Sequence, residues 1–584
     1  MKNKQKEYLI FFSFCLLAVL FFFGCQETVK KDELEVCSKV PVEGGIYERA
    51  FPTQVLTLDP RDIGDSFSHE VSRQIFDGLV EFKVGEKGGF EKALVTPSLA
   101  KSWKVSDDRL TYVFEIRDGV KFHAFTGPDK IPTKNGGRLV VAEDVRFTFN
   151  RLLSPTSKTK RAQEFLVIKG AKDYNDGHAT EIEGIKVVAS NTISFTLEKP
   201  FAPFLSLLAL CNAFIVPRED VEALGENFAR NPVGTGPFYY VECSGEKIVL
   251  KANPTYFMGK PYLEGIEFPI MRGEMDVFNA FMRGELSQSN VPDPEYKNIV
   301  TDPFWSKYFQ ESSRWGTFYL CFNVTIPPFD NVKVRQAFNY AIDRETIVNL
   351  ILNGRARIAK GVLPPGIMNL GSETSHSGQR TPEGVQVYTY DLVKAKKLMA
   401  EAGYPDGKGF PDIVLQFNRD PSHTRTSEFI LANLRDLGIT CKLQEVEFRE
   451  HLQGVEAGKV GFFRMGWTAD YPDPDNFLYT LFHSTNIGAQ GNFGHYSNPM
   501  VDELLEKARF EIDPTVRIPL YNQIEQIIVN DAPWVFIYHY TTHVLVQPYV
   551  RNLELTPLGA PFILYRQIWI DPLTQKRVVE KKQK

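Results

Sequence analysis

The chain has 584 residues, of which 43% are hydrophobic and 24% are charged, and its formal net charge is −5 at pH 7. This is the composition of an ordinary globular protein, and the length is sufficient for two or three domains with hydrophobic cores of their own. The chain has no basic excess, which argues against nucleic acid as a partner.

The N-terminus has the pattern of a secretion signal. Three lysines in MKNKQK precede the apolar run YLIFFSFCLLAVLFFF, which is followed at once by Gly24-Cys25. A membrane span needs roughly 20 apolar residues, so this shorter run is interpreted as a signal peptide over residues 1–24. Apart from its aromatic bulk, the end of the run resembles a bacterial lipoprotein cleavage box. We therefore expect lipidation at Cys25, with an uncleaved anchor helix as the alternative, and a flexible tether over residues 25–40.

Beyond the predicted signal peptide and Cys25, the chain has five cysteines, an odd number. They show no C-x-x-C spacing, which excludes zinc-knuckle and thioredoxin-type motifs. Disulfide pairing among them stays open, because an oxidising compartment permits it and the sequence does not assign it. Two of them, in FYLCFNV and ITCKLQ, lie in strand-like runs and are expected to be buried. The five cysteines are Cys37, Cys211, Cys243, Cys321 and Cys441.

The first part of the body is predicted to consist mainly of strands and turns. LTYVFEIRDGVKFH alternates apolar and polar residues and turns at Asp118-Gly119. AEDVRFTFNRLL has the spacing of a helix with one apolar face. The apolar run FAPFLSLLAL is interpreted as a buried core helix rather than a membrane segment.

Two further helices have clear apolar periodicity. The first begins near Asp330, the expected N-cap, and places its apolar residues on one face at helical spacing. The second, DLVKAKKLMAEAG, is predicted to begin at Asp391 and to stop at Gly403. The apolar residues of the first helix are Val334, Ala337, Phe338, Ala341 and Ile342.

Beyond Gly403 the pattern alternates regularly between strand and helix. DIVLQFN, ITCKLQEV and VGFFRMGW are predicted strands, separated by the predicted helices SEFILANLRDLG and REHLQGVEAG. This order is typical of a β-α-β-α-β unit with a parallel sheet. Ligands of such sheets bind beyond the carboxyl ends of the strands, and Asp470 lies just past the end of the last one.

The sequence lacks the common catalytic and metal-binding motifs. The sequence contains no nucleophile elbow, P-loop, H-E-x-x-H or dinucleotide-binding glycine pattern, so we expect no enzyme activity, no metal and no cofactor. His539 and His543 stand four apart, but in a strand-like run. Asp473 and Asp475 have the D-x-D spacing of a calcium loop without its glycine and distal glutamate, and helix capping is the favoured role for both.

Several long stretches resemble the extracellular solute-binding proteins of family 5, the peptide- and dipeptide-binding receptors of ABC importers. The stretches cover nearly the whole chain after the leader and follow the family's order. They are SLAKSWKVSDDRLTYVFEIRDGVKFH (98–123), VVAEDVRFTFNRLL (140–153), NPVGTGPFYY (231–240), FDNVKVRQAFNYAIDRETIV (329–348), GVLPPGI (361–367), EAGYPDGKGFP (401–411) and GWTADYPDPDNFLYTLF (466–482).

The resemblance implies an α/β, two-lobed periplasmic-binding-protein fold whose lobes close over a ligand by a hinge motion. A discontinuous large lobe over residues 41–318, with an extra subdomain at about 61–186, would be completed by residues 545–584. The second lobe would span residues 319–544. The strands that cross between the lobes are expected near FYLCFN and HVLVQP.

In this family the aspartate of the W-x-x-D loop pairs with the α-ammonium of a bound peptide, and Asp470 holds that place. An ammonium buried without a partner costs several kcal/mol, which a carboxylate held in the cleft would offset. Trp467 and Tyr471 are expected to line the cleft beside Asp470. Some relatives bind the peptide carboxylate with an arginine after the first strand of this lobe. Here that position is not basic, and Arg419, or Arg425, is the nearest candidate.

The resemblance therefore implies a monomeric receptor that binds short peptides and delivers them to an inner-membrane ABC permease. The protein would lie in the periplasm or at the cell surface, held to the membrane by its lipid anchor. A non-peptide cargo such as a nickel chelate, haem or an oligosaccharide is the nearest alternative, and the others are a secreted hydrolase and a surface adhesin or signalling receptor.

Overall fold

The structure is a computed structural model that describes residues 38, 40–84, 93–127, 129–157, 159–367 and 387–576. The predicted signal peptide, the lipidation candidate Cys25 and most of the predicted tether lie outside these ranges. Within them, no helix has the length and apolar character needed to cross a bilayer.

Strands occur along the whole described part of the chain. In chain order they are β1 (Ile46–Glu48), β2 (Val80–Val84), β3 (Ala93–Pro97), β4 (Ala100–Val105), β5 (Thr111–Ile116), β6 (Ile185–Ala189), β7 (Thr192–Thr196), β8 (Phe238–Cys243), β9 (Lys247–Ala252), β10 (Gly265–Pro269), β11 (Gln288–Asn290), β12 (Phe309–Phe322), β13 (Ala356–Ile358), β14 (Ile413–Asn418), β15 (Cys441–Val446), β16 (Phe462–Thr468), β17 (Trp534–Val546), β18 (Val550–Arg551) and β19 (Trp569–Ile570). The alternating segment that was predicted to be a strand and a turn forms β5 and the turn at Gly119, where φ is 79°.

Helices are concentrated in the second half of the chain. They are α1 (Ser66–Ile75), α2 (Ala142–Leu152), α3 (Ala171–Asn175), α4 (Phe204–Leu207), α5 (Arg218–Leu224), α6 (Glu274–Arg283), α7 (Tyr296–Thr301), α8 (Val332–Ala341), α9 (Arg344–Thr346), α10 (Leu392–Glu401), α11 (Pro421–Asp436), α12 (Phe448–Glu456), α13 (Asp475–Phe482), α14 (Pro499–Phe510) and α15 (Pro514–Asp531). Short 3-10 turns connect them, of which Lys160–Phe165 contributes to the site described below.

The periodicity predictions for helices α8 and α10 are confirmed. All five apolar residues predicted for α8 are fully buried. Its N-cap is Asn331, one residue after the predicted Asp330, because the Asn331 side chain accepts the hydrogen bond from Lys333 N–H. Helix α10 is capped by Asp391 as predicted.

The prediction of a helix over FAPFLSLLAL is only partly right. The run is mostly buried, but the α-helix covers only Phe204–Leu207. Pro203 stands at its N-cap, because the proline ring does not fit into a helix interior.

Among the described residues, the largest sheet has seven strands in the order β11-β17-β12-β16-β14-β15, with β13 beside β17. Strand β14 pairs in parallel with both β15 and β16. The helices α11 and α12 connect these strands, so the predicted β-α-β-α-β unit is confirmed. Strand β16 ends at Thr468, two residues before Asp470.

The strands β12 and β17 connect different parts of the hydrophobic core. The C-terminal half of β12, from Trp315, and the N-terminal half of β17 lie in the largest apolar cluster. Val544 and Val546, near the other end of β17, pack in a second cluster with β8, β9 and β10. The register between β12 and β17 shifts between the pairs Ser313–Thr541 and Thr317–His539. They include or adjoin FYLCFN and HVLVQP, near which the crossing strands are predicted.

The described cysteine side chains are unpaired. Cys211, Cys321 and Cys441 are free and buried, which confirms the burial predicted for Cys321 and Cys441. Cys37 lies outside the described residues.

A buried carboxylate on α15 predicts a pH-dependent stability. Glu525 accepts a hydrogen bond from Leu363 N–H at 2.9 Å, yet burial raises its pKa from 4.5 to about 7. Because the folded pKa lies above the unfolded one, the free energy of unfolding falls as the pH rises through this interval. Glu525→Gln keeps an acceptor oxygen without the charge. We expect it to raise the free energy of unfolding by up to about 3 kcal/mol at pH 8 and by little at pH 4.

Urea unfolding of wild type and Glu525→Gln at both pH values checks this prediction. An equal change at the two pH values would contradict it.

Candidate functional site

The loop after β16 holds Asp470 through a single asparagine. Asn476 Oδ1 accepts hydrogen bonds from Trp467 Nε1 at 3.1 Å and from the backbone N–H of Asp470 at 3.0 Å. One residue earlier, the N–H of Ala469 donates to the carbonyl of Trp315 in β12 at 2.8 Å. The backbone of the loop is therefore fixed on both sides of the Asp470 side chain.

The other two aspartates of the loop are structural. Asp473 is buried, forms a bidentate ion pair with Arg517 at 2.7 and 2.8 Å, and accepts the N–H of Asp475 at 2.9 Å. Asp475 accepts the hydroxyl of Tyr471 at 2.8 Å. Asp473 thus accepts one free N–H at the start of α13, as predicted, although the N-cap position itself is Pro474. The capping role predicted for Asp475 is wrong, because Asp475 is the first residue of the helix and its carboxylate holds Tyr471.

A small cavity opens beside Asp470. Its volume is about 110 Å³, and its walls come from widely separated parts of the chain. The charged and titratable side chains among its lining are Asp65, His69, Arg161, Cys211, Arg314 and Asp470. Residues from the N-terminal end of α1, from the 3-10 turn Lys160–Phe165, from β12 and from the loop after β16 thus meet at one place.

Two carboxylates share one guanidinium at the edge of this cavity. Arg161 Nη1 lies 2.9 Å from Glu164 Oε1 and 3.7 Å from Asp470 Oδ2. Asp470 contributes most to raising the pKa of Arg161. Burial raises the pKa of Glu164, and Asp470 raises it further against the effect of Arg161. With all three groups ionised, this cluster carries one negative charge in excess.

His69 and Arg314 form another part of the wall. Burial lowers the pKa of His69 to about 3, helped by Arg73 and Arg161, so the imidazole is neutral at physiological pH. Arg314 Nε is buried and has no hydrogen-bond acceptor among the described residues.

Of the four ligand-binding residues predicted from the sequence, Asp470 lines the cavity and the other three do not. Trp467 is half-buried and supports the loop through Asn476. Tyr471 needs correcting, because its ring is 5% exposed and packs in the core while its hydroxyl is held by Asp475.

The prediction for Arg419 also needs correcting. Its side chain is 66% exposed and pairs with Glu445 and Glu447 at 2.8 and 2.7 Å, away from the cavity. Its alternative, Arg425, pairs with Asp293. Sequence reasoning missed Arg161 and Arg314, because neither lies in a recognisable motif and each reaches the site only through the fold.

A small charged cavity that is lined by distant parts of the chain is the kind of site that receives a small polar ligand. Comparison with known sequences gives the same class. The profile of the bacterial extracellular solute-binding proteins, family 5 (middle region), matches residues 95–489. The chain belongs to this family, whose members are substrate-binding receptors, and the resemblance stated from the sequence is confirmed.

Alignments with proteins whose names state a ligand cover most of the chain. Heme-binding protein A of Haemophilus influenzae is 32% identical over 84% of this chain and 86% of its own length. The dipeptide-binding protein of Escherichia coli is 31% identical over 83% and 87% of the two chains.

Among solved structures, a periplasmic binding protein, DppA from Helicobacter pylori in complex with the peptide STSA, aligns with a TM-score of 0.74 at 28% identity. The alignment covers 91% of this chain and 99% of that one. A periplasmic oligopeptide-binding protein from Borrelia burgdorferi aligns with a TM-score of 0.73 at 28% identity, over 90% and 99% of the two chains. The predicted two-lobed α/β fold is therefore confirmed, and family membership places the body of the protein outside the cytoplasm.

Proposed function

We propose that this protein is the substrate-binding receptor of an ABC importer, and that it binds short peptides between its lobes by their N-terminal ammonium group. The observation that carries the proposal is the excess negative charge of Asp470 and Glu164 around Arg161. A ligand ammonium placed at Asp470 makes the cluster neutral, with two cations and two carboxylates.

Because the cluster is partly buried, its unbalanced negative charge costs free energy that a ligand cation would reduce. Glu164 Oε2 is buried and has no hydrogen-bond partner among the described residues. In a site of low dielectric, an unbalanced charge is expensive, and a positioned counter-ion relieves it. Arg161 keeps Glu164 as a partner when an ammonium takes Asp470, so the ligand displaces one contact without leaving a guanidinium unpaired.

A haem cargo, suggested by one relative's name, fits this charge distribution less well. Haem carries two carboxylates and no ammonium, so it would leave Asp470 and Glu164 without a ligand cation, even where one of its carboxylates met Arg314 in the same cavity. The same reasoning applies to neutral oligosaccharides, which would leave the excess unchanged.

The proposal includes a lipid anchor at Cys25, a monomeric receptor and a permease in the inner membrane as partner. The sequence before Cys25 and the family's role in import support this arrangement. The intact mass of the protein from its natural host would reveal a diacylglyceryl group at Cys25 or its absence.

A panel of dipeptides, tripeptides and tetrapeptides, with haem added, tests the cargo by native mass spectrometry. The tightest peptide is then compared by calorimetry with its N-acetylated form. We expect acetylation to weaken binding by about 10- to 100-fold, because the ammonium is lost while Asp470 keeps its contact with Arg161. Preferential retention of haem, or equal affinity for the acetylated peptide, would contradict the proposal.

A further inference from the structure

Arg314 is held against the cavity by the irregular part of strand β12. It lies between the paired residues Ser313 and Thr317, where the register with β17 shifts. The next residue, Trp315, is fixed on both sides, because its N–H donates to Pro557 O at 2.7 Å and its carbonyl accepts from Ala469 N–H at 2.8 Å. The backbone that carries Arg314 is therefore well anchored on its C-terminal side.

Among the residues that the structure describes, this guanidinium has no anionic partner. No carboxylate of the described residues forms an ion pair with Arg314, and its Nε lacks an acceptor there. Burial lowers the pKa of Arg314, Tyr540 opposes that shift, and the nearby Arg49 adds to it. Buried arginines are normally paired, as Arg517 is with Asp473.

The wall behind Arg314 leaves room for the guanidinium. A Cβ atom at Gly559 would lie 3.4 Å from Arg314 Nε and 3.7 Å from its Cζ, and the Gly559 φ of 90° disfavours any larger residue. Asp65, the other carboxylate of the lining besides Asp470, accepts N–H groups of Phe67 and Ser68 at the start of α1. Its Oδ1 is therefore held by the helix N-terminus, whereas its Oδ2 is buried without a hydrogen-bond partner among the described residues and forms no ion pair with Arg314 there.

We propose that Arg314 binds the carboxylate of the ligand, so that the site selects short peptides with both ends free. This inference rests on the proposed function, in which the ammonium lies at Asp470. The planar fork of an arginine matches a carboxylate with two parallel hydrogen bonds. One wall of the cavity then offers an excess negative charge and the other an unpaired cation, which is the complement of a zwitterion.

The test compares the free acid and the C-terminal amide of the tightest peptide from the panel, by calorimetry on three proteins. Wild type should prefer the acid by about tenfold or more, since an amide leaves Arg314 desolvated and unpaired. In Arg314→Gln the ratio of the two affinities should fall to about one. Arg419→Gln is the matched control, because it removes an exposed arginine of the same chain and should keep the wild-type ratio.

Two results would overturn the inference while leaving the proposed function in place. They are equal affinity of wild type for acid and amide, and an unchanged ratio in Arg314→Gln. Failure of the proposed function is distinguishable, because it appears in wild type as a lack of peptide binding or as indifference to N-acetylation.

Thermal unfolding of the ligand-free proteins separates recognition from a structural role. Arg314→Gln should unfold at the wild-type temperature or above it, since the change removes a desolvated cation without a counter-ion. A large drop in unfolding temperature, with acid and amide weakened equally, would assign Arg314 to the scaffold and overturn the inference. Arg314→Lys keeps the charge but not the fork, so its acid-to-amide ratio should lie between those of wild type and Arg314→Gln.

Discussion

Asp470→Asn should lower the affinity for the preferred peptide by about 100- to 1,000-fold and leave the fold intact. Removing one partner of a desolvated charge pair costs about 3–4 kcal/mol or more. Asparagine has nearly the same shape, and the backbone N–H of Asp470, which Asn476 holds, is unchanged. The ligand ammonium would then enter the cavity opposite a neutral amide.

Calorimetry with the tightest peptide measures the loss, and circular dichroism verifies the fold. Glu445→Gln is the matched control, because Glu445 is a carboxylate that pairs with the exposed Arg419 outside the cavity. It should leave the affinity unchanged. If Asp470→Asn binds peptides with free N-termini as tightly as wild type does, Asp470 has no part in recognition.

Arg517→Met should lower the free energy of unfolding by about 3–5 kcal/mol, the typical effect of removing one partner from a buried ion pair. The bidentate pair with Asp473 is almost fully buried on both sides. Without the guanidinium, the Asp473 carboxylate would be left in the core with only the N–H of Asp475 as a partner. We expect the loss because, within the described part of the chain, no other cation forms an ion pair with Asp473.

Urea unfolding measures this effect, and two further variants make it specific. The double variant Asp473→Leu/Arg517→Met removes both charges and should recover much of the loss. Lys333→Met removes the cation of an exposed pair with Glu401, and should cost less than about 1 kcal/mol. A similar small loss in Arg517→Met would mean that the buried pair does not hold the loop.

The secondary structure of the second half of the chain could be predicted because its signals are local. Helix α8 shows its buried face as a spacing of apolar residues, and α10 shows its start as Asp391. The order of strands and helices after Gly403 was sufficient to predict a parallel sheet. The prediction for the apolar run FAPFLSLLAL was only partly right, because composition alone does not distinguish a buried helix from a buried irregular segment.

Only the part of the site that comes from a single segment of the chain could be predicted. Asp470 follows the end of a predicted strand, so its position at the edge of the sheet could be read from the sequence. Arg161 and Arg314 come from segments far from it in sequence, and only the fold brings all three together.

The predictions for Tyr471 and Arg419 failed for different reasons. Tyr471 has its hydroxyl partner only four residues away, and this local pair turns the ring inward. Arg419 follows a strand as expected, but the two neighbouring glutamates hold it in solvent.

Arg314 lies in the long strand β12 at the register shift, close to the predicted boundary between the lobes at residues 318 and 319. A residue near a hinge axis moves little when the two lobes rotate, whereas residues farther from the axis move over longer distances. In the predicted division Arg161 belongs to the large lobe and Asp470 to the second lobe, so these two residues would separate when the cleft opens, while Arg314 would keep its place. A zwitterionic ligand would then bind Arg314 first, by its carboxylate. The closing lobes would enclose its ammonium group afterwards.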